Sequence, residues 1–156
     1  MLKHGVEFDN GVSLSLMYRK PATAFNQKAE ALYQQNVLSV MEEVRHKEGE
    51  RIDLVIFLNG IAVFTFELKC NTSGQSYEDA IRQYKDQRDC KTRLLKFKAG
   101  CLAHFAMDLN EVYLCTHLKG KSSFFLPFNR GCGVGIHSGK GNPHNENGIN
   151  VSYMWE

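Results

Sequence analysis

Three charged residues carry the chemistry that this sequence can offer. They are Asp53, Glu67 and Lys69, in the stretch RIDLVIFLNGIAVFTFELKC at 51–70. Phosphodiester hydrolysis needs an activated water and a counter-charge for the phosphorane that develops. Two carboxylates supply hard oxygen ligands for Mg²⁺, with Mn²⁺ as a substitute, and leave positions for water and phosphate. The ion lowers the pKa of its water and neutralises phosphate charge. A neighbouring lysine can orient or help deprotonate the water, or stabilise the anionic transition state. The same three residues also fit a plain reading as solvated charges at a strand end, and an ExK triplet alone does not separate the two.

The elements that must position them are two β-strands, 52–58 and 61–69, joined at the hairpin dipeptide Asn59-Gly60. Asp53 opens the first strand; Glu67 and Lys69 close the second, at the same end of the ribbon. Side chains alternate along a strand. Leu54, Ile56 and Leu58 therefore share a face, as do Phe64, Phe66 and Leu68, and both apolar sets are expected on one buried side. Asp53, Val55 and Phe57 then share the opposite side with Val63, Thr65, Glu67 and Lys69. A plain two-residue turn would set Asp53 against Phe66, on the wrong face from Glu67. Parity thus predicts an odd-length connection, such as a three-residue loop with Gly60 left-handed in a bulge, and Asp53 near Thr65 to Glu67. Both acids on one face, bordering a strongly apolar hairpin, favour a built site over an exposed ion pair.

Around this hairpin the pattern is mixed. Residues 5–19 read as a hairpin turning at Asp9-Asn10-Gly11, and 20–26 as a connector. Ala29, Tyr33, Val37, Val40, Met41 and Val44 recur at helical spacing, predicting a helix from Asn26 to about His46. A turn-rich break at 71–76 precedes a second helix from Tyr77 to Asp89, burying Tyr77, Ala80, Ile81 and Tyr84 with Gln83 on the flank. Strands follow at 101–107 and 111–117, turning at Asp108–Asn110, with a further short strand near 123–128. Residues 129–148 are rich in glycine and asparagine and read as an ordered loop; 149–155 read as a closing strand. The fold class expected is α/β of the mixed α+β kind, a central mixed β-sheet flanked by helices, in one domain over 1–156.

Composition narrows the function class. A hydrophobic content of 43% supports a real core, and a formal charge of +2 is only mildly basic, unlike a histone-like binder. No apolar run reaches the ~20 residues of a membrane helix, and the N-terminus lacks a signal-peptide block. The odd number of cysteines, without CxxC spacing, argues against a disulfide framework and a structural zinc site; reduced thiols in a cytoplasm are expected.

The segment RIDLVIFLNGIAVFTFELK, then SGQSYEDAIRQYKDQRD, CLAHFAMDLNEVYLCTHLKGKSSFFLPFN and a terminal YMWE, resembles the N-terminal nuclease region of type I restriction enzyme R subunits. The likeness begins around KPATAFNQKAEALYQQN and includes the framework between the charged residues. It implies membership of the PD-(D/E)xK nuclease superfamily and a mixed sheet with helices on both sides. By position, the family's first acid is Asp53 and its ExK pair is Glu67 and Lys69, with Asp53 and Glu67 as metal ligands. The family's QxxxY element places Gln83 among the catalytic residues. Its tyrosine position holds Gln87 here, while Tyr84 directly follows Gln83.

The resemblance further implies a type I site-specific deoxyribonuclease, acting on double-stranded DNA in a bacterial or archaeal cytoplasm. Methylation and specificity subunits would be its partners. ATP and S-adenosylmethionine would serve the full complex and not this domain. No motor motifs occur in the chain, so a fragment of a larger R subunit is expected. A stand-alone repair or junction nuclease of the same superfamily, and a DNA-binding or assembly module without catalysis, are the alternatives.

Other residues are candidates for supporting roles. Arg82, Lys85 and Arg88 belong to a helix-to-linker run rich in cations, and Lys119 and Lys121 extend it; these could meet phosphates nonspecifically or form a solvated face. Glu30 is the candidate for a first-helix acid near the metal, against a solvated helix face. GCGVG and SGKG lack the GxxxxGK[ST] form, so nucleotide binding there is rejected. His104 and His117 read as core or edge residues, and His137 and His144 as a weak zinc option in the loop. Nothing marks Cys115 as a nucleophile.

Overall fold

The Asn59-Gly60 hairpin forms as the dipeptide directs, with both residues left-handed at φ 50° and 80°. The structure is a computed structural model describing residues 5–23 and 25–129. The hairpin belongs to a six-stranded sheet whose spatial order follows the chain. Its strands are β3 (Leu38–Lys47), β4 (Glu50–Leu58), β5 (Ile61–Leu68), β6 (Ala103–Met107), β7 (Val112–Cys115) and β8 (Leu126–Pro127). All neighbours are antiparallel except β5 and β6, which run parallel. That parallel pair requires a crossover, which a 3₁₀ turn (Asn71–Ser73), α2 (Tyr77–Arg82) and a π-turn (Gln83–Gln87) supply. Ahead of the sheet lie β1 (Val6–Glu7), paired with β2 (Ser13–Leu14) as the expected hairpin, and α1 (Gln27–Tyr33).

The predicted helix over 26–46 is corrected. Only its first part is helical, capped by the Asn26 side chain on the Ala29 N–H at 3.0 Å. Asn36 then ends it: its amide donates to the carbonyls of Tyr33 and Tyr18, and its oxygen accepts the Tyr18 N–H. From Leu38 the chain pairs along β4, Leu38 against Leu58 through Arg45 against Arg51. The spacing of Val37, Val40, Met41 and Val44 suits a helical stripe. An open β4 edge offered ladder hydrogen bonds to a β-branched segment, and tertiary pairing decided the outcome.

Two apolar clusters sit on the sheet's two faces. On one face, Ala80 and Tyr84 of the α2–π-turn unit close over Val55, Ala106, Cys115 and Leu95. On the other, Phe66 stacks on Phe105 at 4.8 Å between centroids, with Phe64 and Phe128 edge-on to the same ring. Such aromatic pairs add about 1 kcal/mol each beyond their area. The expected division of faces holds for Leu54, Ile56, Phe64 and Phe66, which join this second cluster, and for Val55 and Phe57, which join the first. Leu68, expected on the buried side, is exposed at the end of β5, and Leu58 and Val63 belong to neither cluster.

Asp108, at the exit of β6, joins the crossover to the sheet. Its carboxylate accepts the Tyr77 N–H at 3.0 Å, at the start of α2, and the N–H groups of Asn110 and Glu111 in the turn to β7. Ser76 completes a capping box with Asp79. The loop expected over 129–148, the closing strand expected over 149–155, and Cys132, His137 and His144 fall after Asn129, outside the described residues. The four described cysteines are free. Among the described residues no helix is long and apolar enough to cross a membrane.

Candidate active site

Asp53 and Glu67 share a face, by a route that corrects the predicted odd-length turn. The turn is a plain two-residue one, pairing Leu58 with Ile61 and Phe57 with Ala62. The register then shifts: Ile56 pairs with Phe64, leaving Val63 as the extra residue of a bulge within β5. Beyond it Leu54 pairs with Phe66, so the ladder continues to Asp53 opposite Glu67. Parity demanded one additional residue; the turn is held to two because both of its residues adopt φ above zero and Asn59 bonds the start of β3, accepting the Val37 N–H at 2.7 Å. Opposite Asp53 on its other side, Glu43 of β3 takes a left-handed φ of 53°, a local kink beside the site.

Asp53 Oδ2 accepts the backbone N–H of Leu68 at 2.8 Å, which draws the first acid to the residue between Glu67 and Lys69. Glu67 is fully buried. Its Oε1 accepts a bond from Arg88 Nε at 2.6 Å, while its Oε2 is buried without a hydrogen-bond partner. Burial pushes the Glu67 carboxyl up to about 7; the Arg88 bond opposes this, the Asp53 charge adds to it, and Lys69 lowers it weakly. Lys69 follows the end of β5, its N–H bonded to the Met107 carbonyl at 2.9 Å.

Beneath the acids lies a buried polar chain. Thr65 Oγ1 lies 2.8 Å from the Tyr84 hydroxyl and 2.8 Å from His104 Nδ1. Burial holds the His104 imidazole down at about 4, so it is neutral at pH 7. Burial, then the Glu67 charge, raise the Tyr84 phenol well above its ordinary value. His104 is thus a core residue, as expected, and it supports the site's floor.

The remaining predicted residues fall in two groups. Gln83 sits where α2 passes into the π-turn, its carbonyl accepting the Arg88 N–H at 3.1 Å. Of the two residues weighed for the family tyrosine, Tyr84 is buried toward the sheet and Gln87 is exposed. Arg88, expected among phosphate contacts, turns inward: its side chain is 8% exposed and bonded to Glu67. A π-turn is not visible in a sequence pattern, and nothing in the spacing of charges foretold this pairing. Arg82 is exposed beside Asp79 at 2.9 Å. Lys119 and Lys121 are exposed and flank Gly120, which lies beside the Lys85 carbonyl, so these cations gather next to the π-turn. Glu30 bonds Gln34 along α1 at 2.7 Å, in keeping with a helix-face role.

The donor set suits a hard divalent cation. Glu67 keeps one buried carboxylate oxygen without a partner and feels the charge of the Asp53 carboxylate, and both side chains offer oxygen ligands of the kind Mg²⁺ takes. Among the described residues no three His, Cys, Asp or Glu side chains converge, so the protein would give two carboxylates and leave the other positions to water and substrate.

A mixed α+β domain with a six-stranded sheet and acids gathered at one strand end is consistent with a nuclease-like fold. Its family is specific: residues 20–123 match the type I restriction enzyme R protein N terminus, and the chain belongs to that family. The match spans Asp53, Glu67, Lys69, Gln83 and Arg88. No curated protein and no solved structure matched the chain.

Proposed function

We propose that this chain is the DNA-cutting module of a type I restriction R subunit, a Mg²⁺-dependent endodeoxyribonuclease that hydrolyses phosphodiester bonds. The observation that carries this reading is the buried, half-partnered Glu67 carboxylate opposite Asp53. Burying an acid against its own desolvation cost serves no packing purpose, and such perturbed acids concentrate at functional sites.

Asp53 and Glu67 would hold the ion. Bound Mg²⁺ supplies a water of lowered pKa and neutralises charge at the scissile phosphate. Lys69, whose charge acts on Glu67, would orient the attacking water or offset phosphorane charge. Gln83 stands at the head of the turn that delivers Arg88. Arg82, Lys85, Lys119 and Lys121 supply nonspecific attraction for the backbone of double-stranded DNA.

Sequence recognition, methylation and ATP-driven translocation belong to other parts of the complex: specificity and methylation subunits, and motor domains in the remainder of the R subunit. With those partners the domain works in the cytoplasm of a bacterium or archaeon. The test is nicking of supercoiled plasmid with Mg²⁺, by the domain and by the complex carrying it. Wild type is expected to nick, and Asp53→Ala, Glu67→Ala and Lys69→Ala each to lose nicking. Activity that survives all three substitutions contradicts the assignment.

A further inference from the structure

We infer that Arg88 is a positioning residue for Glu67. It grips one carboxylate oxygen so that the other alone is presented as a metal ligand. The inference rests on the reading of Asp53 and Glu67 as metal ligands.

Three observations lead to it. First, the contact is asymmetric. Arg88 reaches Glu67 through Nε to Oε1 alone, at 2.6 Å, and Oε2 is left buried and unbonded. An arginine can satisfy both carboxylate oxygens with two parallel N–H groups. A pair built for stability would do so, because a buried oxygen without a partner costs about 1–3 kcal/mol. Buried ion pairs are in any case poor stabilisers compared with apolar packing.

Second, the backbone is specially shaped to deliver Arg88. The π-turn over Gln83–Gln87 adds a residue to a normal helical turn, and the Arg88 N–H closes it on the Gln83 carbonyl. Insertions of this kind recur at functional sites. Arg88 itself is extended, at φ −99° and ψ 130°, so the helix stops at the residue whose side chain meets Glu67.

Third, Arg88 is itself held in place. Its side chain is 8% exposed and bonded to Glu67. Glu50 of β4 accepts the backbone N–H of Asp89, the residue after Arg88, at 3.1 Å. The segment carrying Arg88 is therefore anchored on both sides, at Gln83 and at Glu50. Outer partners that orient a ligand in this way commonly govern metal affinity.

The test is Mn²⁺ binding to the 156-residue chain without DNA, by calorimetry and by the manganese paramagnetic resonance signal. Arg88→Met should weaken binding by about 10-fold or more, the usual range for an outer partner. Arg88→Lys, keeping the charge but not the Nε geometry, should fall between the two. Adding Arg88→Met to Glu67→Gln should weaken binding no further than Glu67→Gln alone. Thermal melts check that each variant is folded. Should Arg88→Met not fold, Arg88→Lys decides: a severalfold loss of affinity supports the inference and an unchanged affinity overturns it. Unchanged or tighter Mn²⁺ binding in folded Arg88→Met overturns it, the latter by making Arg88 a competitor of the ion. If Asp53→Asn weakens binding while Arg88→Met does not, the metal site stands and the role of Arg88 falls. If wild type binds no Mn²⁺, both fall together.

Discussion

The backbone N–H of Leu68 donates to Asp53 Oδ2 at 2.8 Å, fastening an acid of β4 to the residue that separates Glu67 from Lys69 on β5. The bond holds the Asp53 carboxylate to the β5 backbone through a main-chain donor, independent of side-chain rotamers on β5. Asp53→Asn keeps an acceptor oxygen for it and removes only the negative charge. Its melting temperature should stay within a few degrees of wild type, while Mg²⁺-dependent nicking falls by about 100-fold or more, the scale on which one charge-stabilising group acts. Plasmid nicking beside a thermal melt checks both halves. A variant that nicks normally would remove Asp53 from the chemistry.

Glu67 makes the stability of the domain depend on pH in a direction unusual for a carboxylate. Its folded value is raised from 4.5 to about 7. Between those values the unfolded chain has released the proton and the native state keeps it, so stability falls as pH rises. The loss amounts to about 3 kcal/mol by pH 7, at ~1.4 kcal/mol per unit. His104 acts in the opposite sense. Its value falls from 6.5 to about 4, so its contribution is lost as pH drops through that window. Glu67→Gln removes the first effect and leaves the second. Urea melts from pH 4.5 to 7 should show the variant gaining on wild type by about 3 kcal/mol as pH rises. A difference that stays constant with pH contradicts the raised value.

Thr65 joins two buried polar groups through a single hydroxyl. Thr65→Val preserves shape and leaves the Tyr84 hydroxyl and the His104 ring nitrogen without that partner. At about 1–3 kcal/mol for each orphaned group, the variant should lose roughly 3 kcal/mol in a urea titration. A loss below ~1 kcal/mol would mean that the chain of hydrogen bonds carries little of the floor's stability.

Lys119 and Lys121 are exposed and flank Gly120 beside the Lys85 carbonyl, and in the proposed function they make phosphate contacts without base readout. Lys119→Ala combined with Lys121→Ala should weaken duplex binding about equally for unrelated sequences. It should also reduce the slope of log affinity against log salt by up to about 2, close to one for each phosphate no longer neutralised. Fluorescence anisotropy at several salt concentrations measures this. An unchanged slope would assign these lysines to a solvated face.

The hairpin, its faces and the gathering of Asp53, Glu67 and Lys69 are legible in the sequence because alternation along a strand is a local, period-two signal. The same parity requires one extra residue in the ribbon. Its position is not legible: Asn59-Gly60 favours a tight turn strongly enough that the extra residue moves into β5 at Val63. The strand at Leu38–Lys47 reads as helix because its valines fit either period, and only the open edge of β4 distinguishes them. Arg88 reads as one of the phosphate-binding cations because position 88 faces Glu67 only after a π-turn, which no residue pattern announces. The buried oxygen of Glu67, and with it the strongest sign of a ligand, is a property of packing and has no counterpart in the sequence.

Every role assigned to the site requires Asp53 and Glu67 to hold one divalent ion between them. Anomalous diffraction from a crystal of the domain soaked in Mn²⁺ reads this out without recourse to activity. A single strong peak is expected within bonding distance of both carboxylates, with Arg88 still on the far oxygen of Glu67. Manganese bound elsewhere, or an Asp53 carboxylate turned away from Glu67, would contradict it.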